Sequence, residues 1–112
     1  GGEPGTTHLE ASSLVKHVIL NHHENQKWVA AICAAPRILD GLGLLTGLKA
    51  TSYPSMQPKM THCDYTEDPV VITHHIITSR GPGTAMAFGF AILSQLQPPD
   101  ISNKLQAAML FR

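Results

Sequence analysis

The residue with the clearest chemical potential is Cys33, which lies where a short apolar run meets a helix-like segment. Residues 28–35 are apolar, and residues 28–32 predict a strand that is buried on both faces. Pro36 suits the first turn of a helix, which we expect over residues 36–44. Cys33 would therefore stand on a sharp turn at the carboxyl edge of a sheet, where open α/β folds place their chemistry.

This position would activate the sulfur of Cys33. The N-terminus of a helix presents unpaired N–H groups and a positive partial charge, and both favour a thiolate over a thiol. The backbone N–H of Ala34 can donate to an oxyanion, and the small side chains of Ala34 and Ala35 leave the sulfur uncovered. The alternative is an inert thiol packed in the core, as free cysteines often are. Spacing alone does not decide between these two roles.

Other candidate ligands follow weaker patterns. The seven histidines include the adjacent pairs His22-His23 and His74-His75, but neighbouring side chains diverge on a helix or a strand, so we predict no metal site. Cys63 lies in a polar loop without a second cysteine nearby, which favours a free, exposed thiol over a zinc ligand. Gly81-Pro82-Gly83 lacks the spacing and the lysine of a phosphate-binding loop and is interpreted as a turn before a helix.

The segments that must position these residues alternate between helix and strand. Further helices are predicted over residues 9–25 with Ser12 or Ser13 as N-cap, over residues 84–96 with Thr84 as N-cap, and over residues 101–110. Strands are predicted over residues 48–52 and in a hairpin of residues 70–72 and 76–78. This alternation indicates an open α/β sheet.

Composition narrows the classes of function. The chain has 112 residues, of which 43% are hydrophobic and 14% charged, as expected for one globular domain. Eight basic residues balance eight acidic ones, so we expect no nucleic-acid partner, and no apolar run is long enough to predict a membrane span. Two cysteines without a signal-peptide pattern favour a reducing, cytoplasmic location. The opening Gly-Gly-Glu-Pro-Gly, without Met, suggests part of a longer fold.

Several motifs, in this order, resemble the ThiJ/PfpI superfamily, and most closely its protein deglycase branch. They are Gly1-Gly2, Ala-Ala-Ile-Cys-Ala-Ala-Pro at residues 30–36, Ala-Thr-Ser-Tyr-Pro at residues 50–54 and Thr-Ser-Arg-Gly-Pro-Gly-Thr-Ala at residues 78–85. The resemblance implies a homodimer with a flavodoxin-like three-layer α/β sandwich and a mostly parallel sheet. It also implies that residues 1–112 form a single domain that lacks its N-terminal segment and first strands, so we expect this stretch not to fold without that segment.

The resemblance also implies roles for individual residues. Cys33 would be the reactive cysteine on a nucleophile elbow, with the backbone N–H groups of Gly2 and Ala34 as oxyanion donors. The residues that it places near the pocket and the dimer interface are Arg80, Gly81 and Pro82.

Some positions depart from the pattern of the superfamily. Members have a glutamic acid in the N-terminal segment that hydrogen-bonds the cysteine, and neither Glu3 nor Glu10 matches it. Ala34 stands where protease-like relatives have a histidine, which makes peptidase activity doubtful. Tyr53 stands where many deglycase-branch members have a histidine, so general-base help from this position is in doubt, although its phenol can still hydrogen-bond a substrate.

Three functions remain open. The first is a cofactor-independent enzyme in which Cys33 attacks a small-molecule aldehyde such as methylglyoxal, or a glycated adduct, and yields a hydroxy acid. The second is a redox sensor with chaperone activity, in which the same thiolate is oxidised and held by backbone donors. The third is a thiazole-biosynthesis or peptidase role, as in other members of the superfamily. We favour the first, in a stress-protection context.

Overall fold

The computed structural model describes residues 1–111, which form five helices and five strands. The helices are α1 (Gly5–Ala11), α2 (Ser13–Glu24), α3 (Pro36–Gly41), α4 (Ala85–Leu96) and α5 (Pro99–Ala108). The strands are β1 (Val29–Ile32), β2 (Lys49–Ala50), β3 (Asp64–Tyr65), β4 (Val70–Thr73) and β5 (Ile76–Ser79). Two 3-10 segments lie at Pro54–Lys59 and Pro82–Thr84.

The strands form a three-stranded sheet and a separate pair. In the sheet the order is β1-β5-β4, with β1 parallel to β5 and β4 antiparallel to β5, while β2 pairs with β3 in parallel. The predicted α/β class is confirmed, because helices alternate with strands whose pairing is mostly parallel. Since Ile32 is opposite Ser79, β1 and β5 end at the same edge of the sheet. The residues that follow these strands, Cys33 and Arg80, are thereby brought to one edge.

The core lies between α3, β2 and the start of β5. Its buried cluster consists of Leu39, Leu45, Ala50, Met60 and Ile76. Helix α4 packs on β4 and β5 and buries Phe90. No helix within residues 1–111 is long and apolar enough to span a membrane.

The boundaries of the first helical region differ from the prediction. The chain forms α1 before Ser12, and α2 begins only after it, so the helix predicted over residues 9–25 is two helices. The backbone N–H of Val15 donates to Ser12 Oγ at 3.3 Å, which confirms Ser12 as an N-cap and explains the break, because an N-cap residue leaves the helical conformation.

Two other helices also differ from their predicted bounds, and a third differs in its cap. Helix α3 ends at Gly41 rather than at residue 44, and α5 begins at Pro99, where proline suits a first helical turn. Thr84 is the N-cap residue of α4, but its side chain does not cap that helix; its Oγ1 accepts instead from the backbone N–H groups of Arg80 and Gly81 at 3.2 and 3.1 Å.

The strand predicted over residues 48–52 is shorter in the structure, where only β2 is present. Its partner β3 was not predicted. The N–H of Asp64 donates to Leu48 O at 2.8 Å, and that of Thr66 donates to Ala50 O at 2.9 Å. Two-residue strands carry no measurable alternation of polar and apolar residues, so the sequence held no signal for β3. The hairpin of β4 and β5 is confirmed.

Candidate active site at Cys33

Cys33 follows β1 on a turn with unusual backbone geometry. Its φ is +66°, a region that costs a side chain with a Cβ about 1–2 kcal/mol. Two backbone hydrogen bonds hold it there: Cys33 N–H donates to Ser79 O at 3.1 Å, and Tyr53 N–H donates to Cys33 O at 2.8 Å. The predicted turn between strand and helix is therefore present, and it is fixed by the neighbouring strand end and by the loop that carries Tyr53.

The glycine pair at the start of the chain lies directly against this turn. A Cβ on Gly1 would come within 2.5 Å of Ile32 O and 2.9 Å of Cys33 Cβ, so no larger residue fits without a shift of the backbone. Gly2 has a φ of +76°, which glycine adopts without strain. The pair therefore allows a close approach of its backbone to Cys33.

Two backbone donors flank the cysteine. Gly2, Cys33 and Ala34 together line a cavity of about 210 Å³. Within residues 1–111, neither the Gly2 N–H nor the Ala34 N–H donates a hydrogen bond to another protein group. Unpaired N–H groups beside a nucleophile are the donors that an oxyanion or a bound anion requires.

A second cavity also borders Cys33. Its volume is about 310 Å³, and Ile32, Gly81, Pro82 and Ala85 line it together with Cys33 and the glycine pair. Gly81 and Pro82 thus lie at a pocket beside Cys33.

Arg80 is placed differently from its neighbours Gly81 and Pro82. Arg80 is not among the described residues that line the two cavities. Its Nε donates to Ser52 O at 3.0 Å and its Nη2 to Tyr65 Oη at 3.2 Å, so the guanidinium is committed to holding the loop after β2. Arg80 therefore stabilises the loop that carries Tyr53.

Tyr53 also lines the first cavity. Its side chain is half exposed, and a Cβ on Gly81 would lie 3.5 Å from its ring. Its ring therefore lies between the Gly81 loop and the first cavity beside Cys33.

Sequence reasoning missed a buried cation that braces the first cavity. Arg37, in α3, is only 5% exposed and forms an ion pair with Glu3 and a second one with Glu10 at 3.4 Å. Its Nη2 also donates to Thr7 Oγ1 at 3.2 Å, and its Nη1 lies 3.1 Å from Met56 Sδ. We call these five side chains the Arg37 cluster. The one available signal was that Arg37, with Asp40, interrupts an otherwise apolar segment.

Glu3 brings a carboxylate to the wall of the cavity. Hydrogen bonds from Thr7 and Arg37 lower the pKa of Glu3 below its ordinary value. The carboxylate is therefore ionised at neutral pH and already engaged, which suits a structural anchor better than a general acid or base. This agrees with the sequence comparison, in which Glu3 does not match the glutamic acid of the superfamily.

The second cysteine is not the exposed thiol that the sequence suggested. Cys63 is partly buried and packs against the hydrophobic core. Burial, together with the nearby Asp40 carboxylate, raises the pKa of the Cys63 thiol to about 11. Within residues 1–111, no group of three His, Cys, Asp or Glu side chains is arranged to hold a metal ion.

Comparison with known proteins identifies the family. Residues 1–95 match the model of the DJ-1/PfpI family. The chain belongs to the DJ-1/PfpI family. Protein dj-1beta of Drosophila melanogaster is 40% identical over 112 residues, which are 98% of this chain and 60% of that protein. Glutathione-independent glyoxalase DJ-1 of Schizosaccharomyces pombe is 31% identical over 112 residues, 97% of this chain and 58% of that protein.

Solved structures of the family have the same fold. The crystal structure of Drosophila melanogaster DJ-1beta superimposes with a TM-score of 0.94 at 36% identity, covering 100% of this chain and 61% of that one. Oxidized DJ-1 of Toxoplasma gondii gives a TM-score of 0.92 at 31% identity, covering 99% and 61%. The flavodoxin-like α/β class is thereby confirmed, and the chain spans about three fifths of the length of these relatives.

Proposed function

We propose that this protein protects against reactive carbonyls by a cysteine-dependent, glyoxalase-like or deglycase-like hydrolysis of methylglyoxal or its adducts. The observation that carries the proposal is the strained turn at Cys33 together with two unpaired N–H groups in the same cavity. Relatives in Schizosaccharomyces pombe and Caenorhabditis elegans are named glutathione-independent glyoxalases. Their names support the assignment of the same chemistry to this chain.

The proposed reaction begins with addition of the Cys33 thiolate to the aldehyde carbon. A C–S bond forms, and the carbonyl π electrons move to oxygen, where the N–H groups of Gly2 and Ala34 stabilise the negative charge. Protonation of that oxygen gives a hemithioacetal. Transfer of a proton from the former aldehyde carbon to the adjacent carbon, through an enediol, then converts the hemithioacetal to a thioester of a 2-hydroxy acid.

Water completes the cycle. Attack of water on the thioester breaks the C–S bond and returns the thiolate, so the net reaction adds one water to methylglyoxal and releases lactate. The oxidation of one carbon and the reduction of its neighbour occur within the same molecule, so the sequence of steps needs no external oxidant or reductant. The resemblance implies that the proton is moved by a glutamic acid of the N-terminal segment, with Tyr53 as a hydrogen-bond donor to the substrate.

The dimensions and charge of the cavity favour a small, uncharged substrate. A volume of about 210 Å³ falls below the range of about 300–1,000 Å³ typical of sites for drug-sized ligands. The ionised Glu3 at its wall disfavours carboxylates such as glyoxylate, because like charges repel. A short neutral 2-oxoaldehyde meets both conditions.

A redox role of the same cysteine is the second candidate. The unpaired N–H groups that would stabilise an oxyanion would equally hold the oxygens of a sulfinate on Cys33. A related DJ-1 from Toxoplasma gondii has been solved in a form described as oxidized. Oxidation would then act as a sensor, with or without chaperone activity, and would compete with turnover for one sulfur atom.

We also propose the assembly in which this chemistry takes place. The resemblance implies a cytoplasmic homodimer whose N-terminal segment completes the sheet. Within the described residues, β1 has a strand partner on one side only, and Leu14 and Val18 of α2 are exposed. These features are consistent with further chain packing there. Sedimentation of the protein with and without additional N-terminal sequence tests both the dimer and the segment, and fractionation of cells tests the location.

The decisive experiment measures conversion of methylglyoxal to lactate, using protein that includes the N-terminal segment. Cys33→Ser should abolish turnover, because an alcohol at neutral pH is far less ionised than a thiol. Cys63→Ser is the matched control and should retain turnover, since its thiol lies outside both cavities. Unchanged lactate formation by Cys33→Ser would remove the basis of the proposal.

A further inference from the structure

Two histidines from distant parts of the sequence meet at the amino end of β1. His23 lies in the last turn of α2, and His75 directly precedes β5. His75 Nε2 lies 3.0 Å from His23 Nδ1, and the ring centroids are 4.9 Å apart. Adjacent histidines diverge, as predicted, but here one histidine of each adjacent pair meets one histidine of the other pair.

The backbone holds both rings in place. Val29 N–H donates to His75 O at 2.9 Å, and Gln26 N–H donates to His23 O at 3.1 Å. Both histidines are half-buried, so their side chains have lost part of their rotational freedom in the fold. Two nitrogens whose backbones are fixed in this way are preorganised for a shared ligand, because folding has already met most of the entropy cost of bringing them together.

The separation of the nitrogens is that of a hydrogen bond, and it also suits two bonds to one metal ion. Metal–imidazole bonds are about 2.0–2.1 Å long, so two such bonds at a right angle separate their nitrogens by about 2.9 Å, and two bonds at the tetrahedral angle by about 3.3 Å. The observed 3.0 Å is close to the right-angle value. Nitrogen ligands at right angles are typical of tetragonal Cu²⁺ and Ni²⁺, whereas Zn²⁺ prefers a tetrahedron.

We propose that His23 and His75 form a two-nitrogen site for a tetragonal divalent metal ion, Cu²⁺ or Ni²⁺, with water in the remaining positions. Because no third protein ligand is present among the described residues, the site would be exchangeable rather than a closed structural centre. The metal would replace the hydrogen bond between the rings, and the proton in that bond would move to the outer nitrogen of its own ring. Binding at neutral pH would then release no net proton.

The pair is separate from the candidate active site. The site lies at the end of β1 away from Cys33, so it is independent of the proposed carbonyl chemistry.

The test is calorimetric titration of the complete protein with Ni²⁺, an ion that does not oxidise Cys33. We expect one Ni²⁺ per chain, with affinity about 10- to 100-fold weaker in His23→Gln and in His75→Gln. His8→Gln and His17→Gln are matched controls, because both residues are exposed and lie elsewhere; their affinities should equal that of the unmodified protein. A metal that links α2 to the β4–β5 turn should also raise the melting temperature.

A second measurement on the unmodified protein removes any dependence on how the variants fold. The electron paramagnetic resonance spectrum of one equivalent of Cu²⁺ should be tetragonal, with hyperfine splitting from two nitrogens. Absence of saturable Ni²⁺ binding, equal affinity in the single variants and the controls, or a Cu²⁺ spectrum without the two nitrogens would each overturn the proposal. In that case the contact is a hydrogen bond and nothing more.

Discussion

The structure predicts that the thiol of Cys63 reacts more slowly than the thiol of Cys33. Burial, together with Asp40, raises the pKa of Cys63 from 9.0 to about 11, so at pH 7 only about one Cys63 in 10,000 is a thiolate. A rise of about two pKa units reduces the thiolate fraction about 100-fold relative to an ordinary cysteine. Since thiolates are the reactive form, we expect Cys63 to react about 100-fold more slowly than an ordinary cysteine, whereas Cys33 lines two cavities that a reagent can enter.

The assay is a time course of alkylation by iodoacetamide at neutral pH, followed by mass mapping of each cysteine. Mild peroxide in place of iodoacetamide should add two oxygens to Cys33 and leave Cys63 unchanged. Equal rates, or preferential modification of Cys63 in the folded protein, would refute the reasoning.

The variant Asp40→Asn separates the two causes of the raised pKa of Cys63. Asp40→Asn removes the charge while leaving the thiol buried, so the rate at Cys63 should rise about tenfold or less, because burial is the larger cause. Circular dichroism must show that this variant stays folded, since Asp40 is fully buried and accepts a hydrogen bond from the backbone N–H of His62. A rate at Cys63 that does not change would mean that the carboxylate has no part in suppressing the thiol.

Three further outcomes are expected. Tyr53→Phe should lower methylglyoxal turnover by less than about tenfold, because the hydroxyl positions the substrate rather than forming a bond; a loss above about 100-fold would assign it a larger role. Arg37→Met removes charge-assisted hydrogen bonds to the partly exposed carboxylates, which water then solvates. We therefore expect the free energy of unfolding, measured in urea, to fall by about 2 kcal/mol. A change near zero would contradict this. Folding lowers the pKa of His75 below its ordinary value of 6.5, so the unfolded state binds more protons near that pH. The free energy of unfolding should therefore rise as the pH increases from about 5 to 7. His75→Gln should flatten this rise.

Local patterns in the sequence predicted the turn that carries Cys33. An apolar run, a cysteine and a proline suited to a first helical turn lie consecutively, and each feature depends on its immediate neighbours. The hairpin and the N-cap at Ser12 were predictable for the same reason. The apolar run was predicted to be buried on both faces, but β1 is only partly buried and Ala30 is exposed, because burial depends on what packs against the strand. Strand β3 was missed because it depends on a distant contact, since Leu48 and Ala50 accept its hydrogen bonds.

The Arg37 cluster shows why the remainder of the site could not be predicted. Arg37 is 34 residues from Glu3 and 27 from Glu10, and no spacing rule connects side chains at such distances. His23 and His75 are 52 residues apart. In each case the fold brings together residues whose chemistry is common on protein surfaces, and only their convergence gives them a role.

Backbone strain distinguishes Cys33 from the other residues that share its conformation. Four non-glycine residues among those described have a positive φ, and Gln26, His74 and Leu110 are exposed residues outside the helices and strands. At such positions solvent accommodates the side chain, and the conformation serves only to reverse the chain. Cys33 is partly buried and lines both cavities, so a glycine would relieve the strain but would remove the sulfur. A side chain at a position that favours glycine, beside unpaired N–H groups, agrees with the proposed chemistry of its sulfur.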